Sequence, residues 1–179
     1  LDHLDAQGLS KDTLVVYVAD NGWIQNPDGP RFAPKSKRTS YDGGVRTPIL
    51  LRQPGRIVPR RDDTPVSGID LAPTILKACG APVPEGLPGL DLRDAEAVKA
   101  RPAVFGATFL HTAVDLDVPS KNLEQRWVVA GAWKLIAPVA GDPELYDLSA
   151  DPHETKNLAA GQADRVAGLR KTLDGWWTP

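Results

Sequence analysis

Residues 14–19, LVVYVA, constrain the fold of this chain more than any other stretch: they are β-branched, aromatic or aliphatic, with no polar residue after Thr13. An apolar run without alternation reads as a strand buried on both faces, as in a parallel sheet inside an α/β protein. Such a strand needs partners on both sides and helices over both faces. Candidates within the chain are few. PILLR at 48–52 reads as a second strand. DLAPTILKACG at 70–80 reads as a helix with Asp70 at its N-cap, Pro73 in its first turn, and Gly80 and Pro82 ending it. Most of the sheet is therefore expected upstream, and the chain alone is expected to be poorly soluble or only partly ordered in this half.

The pattern changes after a segment rich in Pro and Gly between Ala81 and Arg101. Short strands then follow at close spacing, over 103–110, 126–131, 133–138 and 144–148, with a hairpin at Gly131-Ala132. The chain closes on GQADRVAGLRKTLDGWW at 161–177, an amphipathic helix with Val166, Leu169 and Leu173 on one face. The expected organisation is α/β: part of a sheet-and-helix domain over 1–100, then a small antiparallel sheet plus a C-terminal helix over 101–179.

Of 179 residues, 41% are apolar and 25% charged, ordinary for a globular protein, and the net charge of −2 suggests neither nucleic acid nor an anionic membrane as partner. No apolar run approaches the roughly 18 residues of a transmembrane helix. The opening LDHLDAQGL reads as the end of an amphipathic helix, there is no methionine, and nothing resembles a signal peptide, so a fragment lacking its N-terminal part is expected. The single cysteine, Cys79, cannot form an intramolecular disulfide; it shares a helical face with Leu71, Ile75 and Leu76 and reads as a buried structural thiol.

The apolar run ends in Asp20-Asn21-Gly22. In open α/β sheets, ligands collect outside the carboxyl ends of strands. A carboxylate and an amide carbonyl are hard oxygen donors that suit Ca²⁺ or Mg²⁺ better than zinc, and Gly22 permits a sharp exit. Asn-Gly is also the commonest two-residue hairpin turn, although WIQNPDGPR beyond it does not alternate as a returning strand would. Between Arg31 and Arg61 stand nine basic residues and one acid, Asp42, a local charge of +8. Only Phe32 and Tyr41 interleave, poor provision for stacking bases. A solvated basic face, or a site for a small anion beside a cation, accounts for the run better.

A strand ending D-N-G, then K-x-x-x-Y-D/E-G-G-x-R-x-P, then an apolar strand running into x-P-G, resembles the sulfatase family. The matching residues are Asp20-Asn21-Gly22, Lys37, Tyr41-Asp42-Gly43-Gly44-Val45-Arg46, Pro48 and Pro54-Gly55. The likeness continues through 70–80 and through YDLSADPHETKNLA at 146–159, and covers nearly the whole chain. It implies a partial alkaline-phosphatase-like fold: a large α/β domain with a smaller C-terminal domain of antiparallel strands and a helix. It implies hydrolysis of sulfate esters at a divalent metal, usually calcium. On the same grounds Asp20 and Asn21 would be two metal ligands, and Lys37 would contact the substrate's sulfate, with Lys35 as the fallback if the loop register differs. Asp42 and Arg46 would hold the turn, and Gly43 and Gly44 would be backbone-permissive positions.

Departures from the family pattern bound the expectation. The family's formylglycine arises within C/S-x-P-x-R; no serine here has that frame, and Cys79 is followed by Gly-Ala-Pro-Val. The family's other metal ligands and nucleophile neighbours lie upstream of its D-N-G strand, and only twelve residues precede Thr13 here. The chain alone is thus expected to be inactive, with the formylglycine supplied by the missing N-terminal part. In the complete protein the expected activity is sulfuric ester hydrolysis on a sulfated small molecule or carbohydrate. The alternatives are a phosphonate or phosphodiester hydrolase of the same superfamily, or a non-catalytic remnant or binding module. Periplasmic or secreted localisation is expected if a signal peptide precedes residue 1. His3 reads as a surface residue and His153 as a turn residue. His111, ending a strand of the second domain, is a candidate for the leaving-group side of the cleft, and Trp23 either walls that cleft or packs.

Overall fold

Val15–Val18 forms the strand (β1) that its β-branched residues favour, in surroundings the run alone does not foretell. In the structure, a computed structural model describing residues Leu1–Pro179, β1 pairs with Ile49–Arg52 (β2), and the pairing is antiparallel, with Tyr17 opposite Leu50. Two strands make a ribbon rather than a layer. Within these residues the one partner of β1 is antiparallel rather than parallel, and Tyr17 is 58% and Leu50 59% exposed.

Two compact units make up the chain: Leu1–Ala19 with Pro48–Arg101, and Asp20–Thr47 with Pro102–Pro179. The segment Asp20–Thr47, which includes the short helix α2 (Asp42–Val45) preceded in the chain by α1 (Asp2–Ala6) of the first unit, thus clusters with the C-terminal strands. In the first unit, Asp5 of α1 accepts the Ser10 hydroxyl and, at 3.0 Å, the Arg52 guanidinium. A 3-10 turn at Gly68–Asp70 leads into α3 (Leu71–Ala78).

Asp70 occupies the N-cap position, but its carboxylate does not cap α3. Fully buried, it accepts the N–H groups of Ser67 and Leu90, each at 2.8 Å, and two guanidinium nitrogens of Arg101 at 2.7 and 2.5 Å. The Thr74 hydroxyl accepts Leu92 N–H at 2.8 Å. These bonds turn the Pro73-Thr74 side of α3 inward, which leaves Ile75 and Cys79 exposed; the expected buried thiol is corrected accordingly. A further short helix, α4 (Ala95–Lys99), interrupts the Pro- and Gly-rich segment and is capped by Asp94, which accepts Ala97 N–H at 3.0 Å.

In the second unit β3 (Val104–Phe109), β4 (Leu123–Ala130), β5 (Trp133–Pro138) and β6 (Glu144–Asp147) form an antiparallel meander in chain order. The β4–β5 turn falls on Gly131-Ala132, with Gly131 at φ 57°, where a side chain would be strained. Pleating sends alternate residues to opposite faces. The C-terminal helix α5 (Ala163–Trp176) covers one face, where Val128, Leu135, Leu145 and Leu173 are fully shielded. Arg126 fixes the end of that helix, donating to the Trp177 carbonyl and, at 2.8 Å, to Asp174. The other face, with Lys134, Ile136 and Tyr146, is buried beneath Asp20–Thr47, which hydrogen-bonds to Thr108, Lys134 and Glu144.

Candidate cation and anion site

Three glycines shape the site through the side chains they lack. Gly22 donates its N–H to Gly44 O at 2.8 Å. A Cβ on Gly22 would stand 2.3 Å from Gly43 O, one on Gly43 2.4 Å from Lys35 O, and one on Gly44 2.3 Å from Ser36 O. None of the three has a positive φ. Their contribution is close backbone approach rather than conformational freedom, and it packs the D-N-G exit against the Y-D-G-G turn. Beyond it, Asn26 N–H bonds Arg31 O at 3.0 Å and Ala33 N–H bonds Ile24 O at 2.8 Å. The chain reversal therefore lies in NPDGPR, and a two-residue hairpin at Asn21-Gly22 is excluded.

Asp20 is exposed and Asn21 half-buried. The Asn21 amide nitrogen donates to Gly22 O at 2.8 Å, which leaves its carbonyl oxygen for another partner. These donors are right in kind for a hard divalent cation but fall short in number, since calcium takes roughly six to eight oxygens. Nowhere in the chain do three His, Cys, Asp or Glu side chains gather in a metal-holding group. The pair fits calcium or magnesium as one part of a larger ligand set.

The two lysines of the loop have different surroundings. The Lys35 ammonium donates to the Glu154 carbonyl and lies over the rings of Tyr41, at 4.4 Å, and Tyr146, at 5.2 Å. Lys37 has no carboxylate partner, and its ammonium stands 5.7 Å from the Trp23 ring. Trp23 directly follows Asp20-Asn21-Gly22; it packs edge-on against Phe32 at 5.5 Å and still keeps half its surface exposed. Packing and lining are therefore both within its reach. Elsewhere in the basic run, Arg52 pairs with Asp5, Arg60 with Asp62 and Arg61 with Asp63, so the run is not a single positive field.

Asp42 meets Arg46 at 3.6 Å, but its closer partner is Lys134 at 2.9 Å. Lys134 is fully buried and also meets Glu154 at 2.8 Å. The second oxygen of Glu154 accepts the N–H of Asp42 at 2.6 Å. Glu154 sits at φ 53°, a left-handed bend held by Asp151, whose carboxylate accepts Thr155 N–H at 2.7 Å and Lys156 N–H at 2.8 Å. Those two N–H groups hold the Asp151 carboxyl below its ordinary range. Alongside, Glu144 accepts the hydroxyls of Tyr41, at 2.8 Å, and Tyr146. Burial, reinforced by that carboxylate, pushes the Tyr41 hydroxyl up to about 12 and raises Tyr146 as well.

Sequence reasoning misses Lys134 and Glu154. The signals that point to them are a lysine inside an otherwise apolar strand and an acid in the tight DPHET turn. His3, His111 and His153 are all exposed. His111 lies three residues beyond Thr108, whose hydroxyl oxygen is 2.7 Å from that of Ser40, and Ser40 in turn lies three residues beyond Lys37.

The family model described as N-sulphoglucosamine sulphohydrolase, C-terminal, matches residues 33–175. Arylsulfatase A of Homo sapiens is 32% identical over 200 residues, covering 93% of this chain and 37% of that protein. A structure solved in complex with its substrate D-glucosamine-2-N,6-O-disulfate superposes with a TM-score of 0.72 at 25% identity, over 98% of this chain and 36% of that one. A phosphonate monoester hydrolase of Agrobacterium radiobacter shares the fold, with a TM-score of 0.74 at 22% identity, over 97% of this chain and 36% of that one. The chain spans about a third of the length of the curated relatives it matches.

Proposed function

The chain belongs to the sulfatase family, whose alkaline-phosphatase-like fold it shares, and from that premise we propose that it serves a sulfuric ester hydrolase acting on sulfated carbohydrate. Asp20 and Asn21 contribute two oxygens to the ligand set of a divalent cation, and calcium suits such donors. A cation held there supplies Lewis acidity that withdraws charge from the sulfate oxygens. Lys37 places an ammonium on the same oxygens, where a fixed positive charge lowers the repulsion met by an incoming oxygen nucleophile. The Trp23 ring stands 5.7 Å from that ammonium. No serine or cysteine of this chain stands in C/S-x-P-x-R, so the formylglycine nucleophile, and the acid that protonates the departing alcohol, come from outside these residues.

The observation that supports this reading most is the backbone contact of Gly22 with Gly43 and Gly44, which joins the Asp20-Asn21 exit to a loop whose Lys37 is free of any carboxylate. The carbohydrate class is favoured by the sulfated glucosamine bound to a solved relative.

The test is turnover by the protein that carries this chain at its relatives' length. Sulfate release from D-glucosamine 6-sulfate that needs calcium, and that disappears together with bound calcium in Asp20→Ala, supports the reading. Preferred cleavage of a phenyl phosphonate monoester would favour the superfamily alternative, and no turnover of either would favour a non-catalytic remnant. Retained calcium with near-normal turnover in Asp20→Ala would end the ligand assignment.

A further inference from the structure

Among the buried charged groups that the proposed chemistry leaves unused is Lys134. A fully buried ammonium in mid-strand is costly unless paired. Well-packed apolar residues often replace such ion clusters with no loss of stability, so packing alone does not account for a lysine here. Its partners do. Asp42 comes from the Y-D-G-G turn and Glu154 from the DPHET turn, at 2.9 and 2.8 Å.

Glu154 then fastens both ends of one short segment. Its side chain takes the N–H of Asp42, and its backbone carbonyl takes the ammonium of Lys35. Between those ends lies Lys37, flanked by Lys35 at φ 58° and Arg38 at φ 68°, left-handed conformations that non-glycine residues keep only under constraint. Within the segment, Ser36 accepts Ile24 N–H at 2.6 Å and Thr39 donates to Ser36 O at 2.6 Å. Lys35 is therefore a strut, and the Lys134–Asp42–Glu154 cluster is the anchor it shares.

We infer that Lys134 is a positioning residue: through Asp42 and Glu154 it fixes the loop that presents Lys37 to the sulfate. This rests on the reading of Lys37 given above. A positioning role differs from a merely structural one because its effect passes through Lys37, and a double-mutant cycle reads that dependence.

In the protein of the relatives' length, with calcium bound, Lys37→Ala is expected to lower kcat/KM for the sulfate ester about 100-fold. Lys134→Met is expected to lower it about 10- to 100-fold with calcium content unchanged. The double variant should be no worse than Lys37→Ala alone, within about 3-fold. Losses that multiply would overturn the inference while leaving the role of Lys37 intact. A Lys37→Ala variant with normal kinetics would overturn the sulfate-binding reading, and the inference with it.

Where Lys134→Met fails to fold, Asp42→Asn takes its place in the cycle, since it keeps the N–H that Glu154 accepts. In the same protein of the relatives' length, amide exchange gives a second readout. Asp42→Asn should speed exchange over residues 36–42 about 10-fold or more while β4 and β5 amides stay as slow as before. Unchanged exchange in that segment would overturn the inference.

Discussion

β1 and β5 make opposite use of their sequences. VVYV looks like a strand sealed on both sides, yet Tyr17 and Val18 are exposed. WKLIAP contains a lysine, yet its four central residues are all buried. What separates them is the layers that cover them. β5 has α5 over one face and the Asp20–Thr47 segment over the other, and its lysine is tolerated because two carboxylates meet it. β1 has an antiparallel partner in β2 and forms a two-stranded ribbon. Composition records how readily a strand can be buried; the neighbours decide whether it is.

The contrast is broken most severely at Leu135, which is fully shielded against α5. Leu135→Ala should cost about 2–5 kcal/mol, read as a shift in the urea midpoint of the second unit. A loss below that range would mean that α5 does not seal the face. In the first unit the comparable weight lies off the strands, in Asp70. Asp70→Asn should cost about 1.5–3 kcal/mol, the range for hydrogen bonds to a charged group.

That loss has a definite pH signature. Burial alone would raise the Asp70 carboxyl, but the Arg101 guanidinium and the N–H groups of Ser67 and Leu90 outweigh it and hold it below its ordinary value. Its contribution is therefore complete above about pH 4, the unfolded value, and drains away as pH falls through the lower folded one. Asp70→Asn should flatten that acid limb.

Tyr41 gives the opposite sign. Its folded hydroxyl titrates at about 12, above the unfolded value, so its contribution is present below roughly pH 10 and fades as pH climbs toward the folded value. Tyr41→Phe should shrink the alkaline loss of stability measured over that window. The smallest effect belongs to the ribbon. Leu50→Ala, at a residue 59% exposed, should change stability by no more than about 0.5 kcal/mol; a core-sized loss would show that β2 is covered in solution.

The C-terminal meander and its helix are legible in the sequence because each strand is short and separated by turn residues, and because Val166, Leu169 and Leu173 recur at helical spacing. The Gly131 turn is legible for the same reason. Cys79 is not, because α3 is rotated by polar ties from Thr74 and Asp70 that no apolar periodicity records. Nor is the clamp: Lys134 and Glu154 lie 92 and 112 residues from Asp42, and local patterns carry no information over that separation. The glycines at 22, 43 and 44 are visible as glycines, but only the structure distinguishes a need for space from a need for positive φ.

The most direct measurement compares Lys37→Ala with Lys35→Ala in the protein of the relatives' length, by kcat/KM for a sulfated carbohydrate and by unfolding. Lys37→Ala is predicted to cost about 100-fold in kcat/KM with little change in stability, as removal of a preorganised donor does. Lys35→Ala is predicted to lower stability, through the Glu154 carbonyl and the Tyr41 ring it leaves. Full activity in Lys37→Ala, with the catalytic loss falling on a well-folded Lys35→Ala instead, would contradict the assignment.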